Sequence, residues 1–428
     1  MQLTKLLLVI LLLAIFVNQA KSQTNYDEKE VQEYQLPELL ISQNGTTITR
    51  SKSWMKIRRP EILNLFEENM YGRIPGALKI STYKILEENP NALNGKALRK
   101  QVLLTFKKAG RELNVNLLIY VPKNQTKAPI FLGYNFYGNQ TVIDDQAIIL
   151  NQSWTRNMES IGITENLATE KSRGVQNSRW AIDKIIDAGY GLATMYYGDV
   201  DPDKFGKDGI DYSDGVHPLL YKKGQTKPRP NEWGAISAWA WGLSRAMDYF
   251  EKDVDIDQNK VIVIGHSRLG KTALWAGALD QRFAIVISNN SGCGGAKLSR
   301  RKYGERLGGM NGYFPHWLCG NCAKYDGHEE TLPVDQHMLI ALIAPRPVYI
   351  ASAEDDRWSD PKGEYLSGYF ATPVYELFGK PGLSSDTIPK VNQPIMTTIG
   401  YHIRRGGHDV TDYDWEQYIK FADKHLKK

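Results

Sequence analysis

The chain has 428 residues, 42% of them hydrophobic and 24% charged, and a formal net charge of +5 to which Lys5 and Lys21 of an amino-terminal leader contribute. A chain of this length buries an ample core without staples, and a mildly basic one with no clustered basic stripe excludes nucleic acid while allowing weak attraction to an anionic polysaccharide. Its three cysteines, Cys293, Cys319 and Cys322, permit at most one internal disulfide, and Cys319-Gly-Asn-Cys322 has no second pair or matching histidine cluster beside it, so neither a metal nor another cofactor is expected.

Residues 1–22 carry Lys5, a continuous apolar run from Leu6 to Val17, and Ala20-Lys-Ser22 as a small-residue cleavage pattern. That combination predicts a secretory signal cleaved near Ser22 and a secreted or periplasmic protein, the run being short for a bilayer span. No later segment is apolar for long enough to span. Residues 23–43 form a polar, irregular lead-in, and 53–71 read as a helix. Strands are predicted at 113–121 and 130–136, a helix at 180–188, a strand at 192–197 and a strongly periodic helix at 233–250. An apolar strand from Val261 follows, then a strand at 283–288, a helix at 333–343, two further strands beginning near Arg346 and Thr397, and a closing amphipathic helix at 413–426. Strands alternating with helices predict a mostly parallel, doubly wound α/β sheet with helices on both faces, a three-layer sandwich. Residues 23–428 are read as a single catalytic domain and a monomer, with polar insertions near 138–178 and 293–331 where specificity would be carried.

The stretch Val261-Ile-Val-Ile-Gly-His-Ser-Arg-Leu-Gly-Lys271 is an apolar strand, a tight turn and the start of a helix with Ser267 at the apex. This is how a nucleophile elbow of the α/β-hydrolase fold is written; Gly265 and Gly270 supply the small residues that a strained turn and close strand–helix packing require, while Leu269 replaces a usual glycine. In this fold the acid and the histidine follow the serine along the chain. Arg346-Pro-Val-Tyr-Ile-Ala-Ser-Ala-Glu-Asp-Asp356 ends a strand on three carboxylates, making Asp356 or Asp355 the candidate acid, and Gly406-Gly-His408 ends a glycine-rich loop, making His408 the candidate base.

Gly265-His-Ser-Arg-Leu-Gly-Lys271 resembles the elbow of glucuronoyl esterases, whose bacterial branch often has histidine where other members have cysteine. The similarity extends through Tyr71-Gly-Arg-Ile-Pro75, Asn135-Phe-Tyr-Gly-Asn139, Tyr196-Tyr-Gly-Asp199, the segment from Trp233 to Gly242, Ser291-Gly-Cys-Gly-Gly295, Phe314-Pro-His-Trp317, Leu332-Pro-Val-Asp-Gln-His337 and Gly406-Gly-His-Asp409. The resemblance implies a serine esterase cleaving the ester between (4-O-methyl-)glucuronic acid branches of glucuronoxylan and lignin alcohols. Many members place the triad acid just after the strand that follows the elbow helix; here that position is Asn290, whose amide cannot stabilise an imidazolium as a carboxylate does, which returns the role to Asp356.

The backbone N–H and guanidinium of Arg268 are expected to meet the oxyanion, since a cation at a helix N-terminus is otherwise locally unfavourable. Lys271, one helical turn beyond the nucleophile, is expected to bind uronate hydroxyls; Glu305 and Trp358 match family positions that hydrogen-bond and stack on the sugar. Gln336, His266, His316 and His337 read as structural, and Trp233, Trp239 and Trp241 as core. An acetyl xylan esterase on the same fold is the alternative; two cations near the nucleophile argue against it. A catalytically dead polysaccharide-binding relative is disfavoured by the intact Ser267, His408 and Asp356.

Overall fold

The computed structural model describes residues 24–206 and 209–427, so the leader read at 1–22 lies outside the described residues. In chain order the main elements are helix α1 (Arg59–Asn69), strands β1 (Thr82–Ala92), β2 (Ala97–Lys108), β3 (Arg111–Pro122) and β4 (Ala128–Asn135), helix α2 (Ile182–Asp187), β5 (Gly191–Tyr196) and α3 (Ala235–Phe250). They continue as β6 (Ile256–His266), α4 (Arg268–Leu279), β7 (Ile285–Asn289), α5 (Gln336–Ala341), β8 (Val348–Ala353), α6 (Pro361–Glu376), β9 (Ile395–Met396), β10 (Ile399–Arg404) and α7 (Asp412–Leu426).

All ten strands join one sheet in the order β1-β2-β3-β5-β4-β6-β7-β8-β10-β9. Neighbours from β5 through β10 run parallel, and the antiparallel pairs are confined to β1–β2–β3–β5 at one side and β9–β10 at the other. Successive side chains of β6 feed two separate cores: Val261 and Val263 pack with Trp239, Leu274, Leu339 and Tyr365 from α3, α4, α5 and α6, while Ile262 and Ile264 pack with Ile185 of α2 and Trp415 and Tyr418 of α7. Burial on both faces is why the strand is apolar at every position from Val261 to Ile264 rather than at alternate ones, and each such side chain contributes about 1.5–3 kcal/mol relative to exposure. Helices therefore cover both faces, giving the three-layer α/β-hydrolase arrangement. Trp233, Trp239 and Trp241 lie in the core.

Some expected boundaries shift. The helix read at 53–71 starts as a turn at Ser51–Ser53 and passes through a π-helical stretch, Trp54–Arg58, before α1. The helix read at 333–343 begins only at Gln336, because the Asp335 carboxylate accepts the Gln336 N–H and caps it there. The hairpin of β1 and β2 and the whole of α6 went unread. β1 is an edge strand, exposed along most of its length, and so lacks the apolar alternation of a buried strand. α6 carries Gly363, Gly368 and Pro373, which mask its periodicity, but Asp360 caps it by accepting the Gly363 N–H at 3.0 Å and Pro361 opens its first turn. The 138–178 region contains short 3₁₀ turns and a small hairpin, Ile163–Thr164 with Leu167–Ala168. All three cysteines are buried free thiols. Among the described residues no helix is long and apolar enough to cross a membrane.

Candidate active site

Ser267 sits between β6 and α4 with φ 58° and ψ −128°. A non-glycine residue held there costs on the order of 1–3 kcal/mol, a strain that the surrounding bonds must impose. They do: the Ser267 N–H donates to Asn289 O at 2.9 Å and the Gly270 N–H to Ser267 O at 2.9 Å. Gly265 is obligatory, because a Cβ there would lie 1.9 Å from Leu269 O. The residue that stands where a glycine is usual thus presses its own carbonyl against the strand end.

His408 hangs over this elbow from the loop after β10. Its ring lies 4.4 Å from that of His266, the chain neighbour of Ser267, and its Nδ1 is 2.7 Å from Asp356 Oδ2. Of the two acids left open by the sequence, Asp356 is buried and Asp355 is exposed. Burial alone would raise the Asp356 carboxyl, but the hydrogen bond and charge of His408, followed by hydrogen bonds from Asn290 and Ser359, outweigh it and hold the group at about 2. Asn290 Nδ2 donates to the same Oδ2 at 2.8 Å. His266 is held neutral, its pKa well below the ordinary value because it is buried and faces His408; its Nδ1 lies 2.6 Å from Asn289 Oδ1.

Arg268 opens α4. Its guanidinium lies 4.6 Å from the Trp317 ring centroid and donates to Asp203 at 2.5 Å. Asp203 lies seven residues past the end of β5, and its ionic partners Arg268 and His316 are far away in sequence, so no motif marked it. Its carboxylate also faces His316 Nε2 at 2.5 Å and accepts from Trp317 Nε1 at 2.9 Å and the Tyr197 hydroxyl at 3.2 Å. Burial pushes this acid up, and the His316 bond and the Arg268 charge more than reverse it. A cleft of about 200 Å³ opens beside Arg268, walled by Phe136, Tyr137, Arg156, Phe205 and Phe314. A larger groove of about 1030 Å³ runs beneath residues 28–39, and its lining includes none of Ser267, His408 or Asp356.

Lys271 is buried. Its ammonium donates to Ser291 O at 2.6 Å and Cys293 O at 2.5 Å and lies 3.5 Å from Glu305 Oε2. Glu305 is buried too, and its N–H donates to Trp358 O at 2.9 Å, tying the two loops together, while the Trp358 side chain is half-exposed. Gln336 donates to Gly295 O at 2.6 Å, and His337 is buried with its pKa lowered to about 4 by desolvation. A further acid carried no signal in the sequence: Glu364 of α6, fully buried, accepts the N–H groups of Ser291 (2.8 Å) and Gly292 (2.9 Å) on one oxygen and the Ser352 hydroxyl (2.7 Å) on the other. Among the described residues no group of three or more His, Cys, Asp and Glu side chains could hold a metal ion.

Residues 220–379 match the family model described as glucuronyl esterase of fungi. The chain is 50% identical over 406 residues to carbohydrate esterase MZ0003 from an unknown prokaryotic organism, covering 94% of this chain and 92% of that protein. It is 26% identical over 393 residues to the 4-O-methyl-glucuronoyl methylesterase of Schizophyllum commune, covering 88% and 83%. The solved glucuronoyl esterase from Solibacter usitatus superimposes with a TM-score of 0.86 at 49% identity, covering 93% of this chain and all of that one.

Proposed function

This chain belongs to the glucuronoyl esterase family and is a carboxylic ester hydrolase, and from that premise we propose that Ser267, His408 and Asp356 are its triad. The substrate is the ester joining (4-O-methyl-)glucuronic acid branches of glucuronoxylan to lignin alcohols, cleaved by a secreted, monomeric enzyme whose residues 23–428 act as one catalytic domain. The observation that carries the assignment is the His408–Asp356 pair, 2.7 Å apart, beside a serine held at positive φ with Arg268 as its next residue.

Ser267 Oγ attacks the uronate carbonyl carbon as His408 Nε2 takes its proton; the C=O pair moves onto oxygen, where the Arg268 N–H and guanidinium stabilise it. The carbonyl reforms, the C–O bond to the alcohol breaks, and the imidazolium returns its proton to the leaving oxygen. Asp356 holds the Nδ1–H and stabilises the imidazolium throughout. Water, activated by the same histidine, then hydrolyses the acyl-enzyme and frees Ser267. The sugar ring stacks on Trp358, and Glu305 and Lys271 meet its hydroxyls. Two of the Lys271 N–H groups go to the Ser291 and Cys293 carbonyls, leaving the third, beside Glu305, for the sugar; as both acyl groups are uncharged in their esters, the preference for a uronoyl over an acetyl group rests on these sugar contacts.

The test is a comparison of initial rates on benzyl glucuronate and on acetylated xylan with the purified mature protein. Glucuronate ester cleavage is expected to dominate; faster release of acetate would overturn the substrate assignment.

A further inference from the structure

We propose that Asn290 is a positioning residue for the triad acid: its amide supplies the second hydrogen bond to Asp356 Oδ2 and fixes the carboxylate that His408 meets. The inference rests on the triad reading given above and adds a residue to which that reading assigns no part.

Asn290 is the first residue after β7, at φ 46°, and is buried. Its N–H donates to Ala351 O on β8 at 2.7 Å, so its backbone is pinned to the strand that leads to Asp356. Its Nδ2 lies 2.8 Å from Asp356 Oδ2, the same oxygen that faces His408 Nδ1 at 2.7 Å. A carboxylate offers only acceptors, so the amide must present its nitrogen, and the interaction has one orientation. The amide's Oδ1 is buried with no hydrogen-bond partner among the described residues. The side chain is therefore committed to Asp356 alone.

The turn that carries Asn290 is tied down on its other side. Glu364 of α6 accepts from the N–H groups of Ser291 and Gly292, and Lys271 donates to the carbonyls of Ser291 and Cys293. Asparagine and aspartate both tolerate the left-handed region, so the backbone at 290 does not choose between them. The chemistry does. A carboxylate at 290 would stand about 3 Å from Asp356, and two like charges so close share one proton instead of both ionising. The amide donates at every pH and leaves Asp356 the one charged partner of His408 at that contact.

The other groups around this pair are Ser359 on the Asp356 turn, Glu364 on α6, Tyr26 of the lead-in, and, across His408, the neutral His266 with Arg179 behind it. None of them replaces the Asn290 donor. Without it, Asp356 Oδ2 pulls harder on the His408 Nδ1 proton and raises the basicity of that imidazole.

The experiment is the pH dependence of kcat and kcat/KM on benzyl glucuronate for the full mature protein and its Asn290→Leu, Asn290→Asp and Asp356→Asn variants. Asn290→Leu keeps the forked shape with added bulk and removes the donor; kcat is expected to fall about tenfold with KM within about twofold, and the acidic limb of kcat/KM to move to higher pH. Asn290→Asp is expected to stay near wild type at the acidic end, where the shared proton restores an O–H donor, and to lose rate progressively as that proton leaves. A wild-type kcat and pH profile in Asn290→Leu would overturn the inference. If that variant does not fold, a profile for Asn290→Asp that parallels wild type would overturn it equally. Wild-type turnover by Asp356→Asn would instead sink the triad reading itself, so the two failures are distinct.

Discussion

Asp355 and Asp356 are chain neighbours with opposite surroundings. Asp355 stands in solvent, and its N–H donates to Gly406 O, whereas Asp356 turns inward to His408, Asn290 and Ser359. A carboxylate held at about 2 remains charged at any pH at which His408 works as a base, and its contribution to folding is present above the ordinary value of 3.8 and lost as pH falls through about 2. Removing that charge while keeping the shape deprives the imidazolium of its partner. Asp356→Asn is expected to lower kcat on a glucuronate ester at least about a hundredfold, and Asp355→Asn to change it less than about twofold, in steady-state assays. A crippled Asp355→Asn with an active Asp356→Asn would move the acid by one residue. Lys271 illustrates the limit of reasoning from spacing. Spacing puts it one turn beyond Ser267, but the burial that spends its ammonium on two backbone carbonyls has no signature in an i to i+4 pattern.

At the scale of elements, the site is a set of strand ends with the turns that leave them. β6 gives Ser267, β7 gives Asn290, β8 gives Asp356 and β10 leads to His408. The elbow was legible because its chemistry is local: an apolar strand buried on both faces, a glycine that no side chain could replace against Leu269 O, and a serine before a helix. Asp203 and Glu364 were not legible, because each works through partners far away in sequence. Glu364 is the more consequential for stability. Burial pushes its carboxyl from the ordinary 4.5 up to about 8, despite the Ser352 and backbone donors, and the charge of Asp356 adds to the rise. A carboxyl raised by folding favours the native state fully below its unfolded value, and this contribution is lost as pH rises through about 8. The melting temperature should therefore fall between about pH 5 and pH 8, and Glu364→Gln, uncharged throughout, should flatten that decline. A decline of equal slope in the variant, followed by differential scanning fluorimetry, would assign the effect to other groups.

For the whole molecule, the parallel centre of the sheet and the helices on its two faces follow from alternating apolar strands and periodic helices, which is why the architecture could be read from the chain. The edges could not be read so well: β1 is exposed, and α6 hides its period behind Gly363, Gly368 and Pro373. The same layering would hold the proposed triad, since strands held from both sides present rigid carboxyl ends on which a strained serine, a proposed base and a proposed acid keep their relative positions. The cleft beside Arg268 is walled partly by Arg156 and Phe205, from loops that periodicity does not describe, and so its shape had to come from the structure. All of this converges on one side chain. Turnover of benzyl glucuronate by Ser267→Ala, measured with its melting temperature, is expected to drop by at least about four orders of magnitude while the protein stays folded, since the hydroxyl is the proposed nucleophile and its loss removes little packing. Wild-type turnover by a folded Ser267→Ala protein would contradict the assignment of Ser267 as that nucleophile.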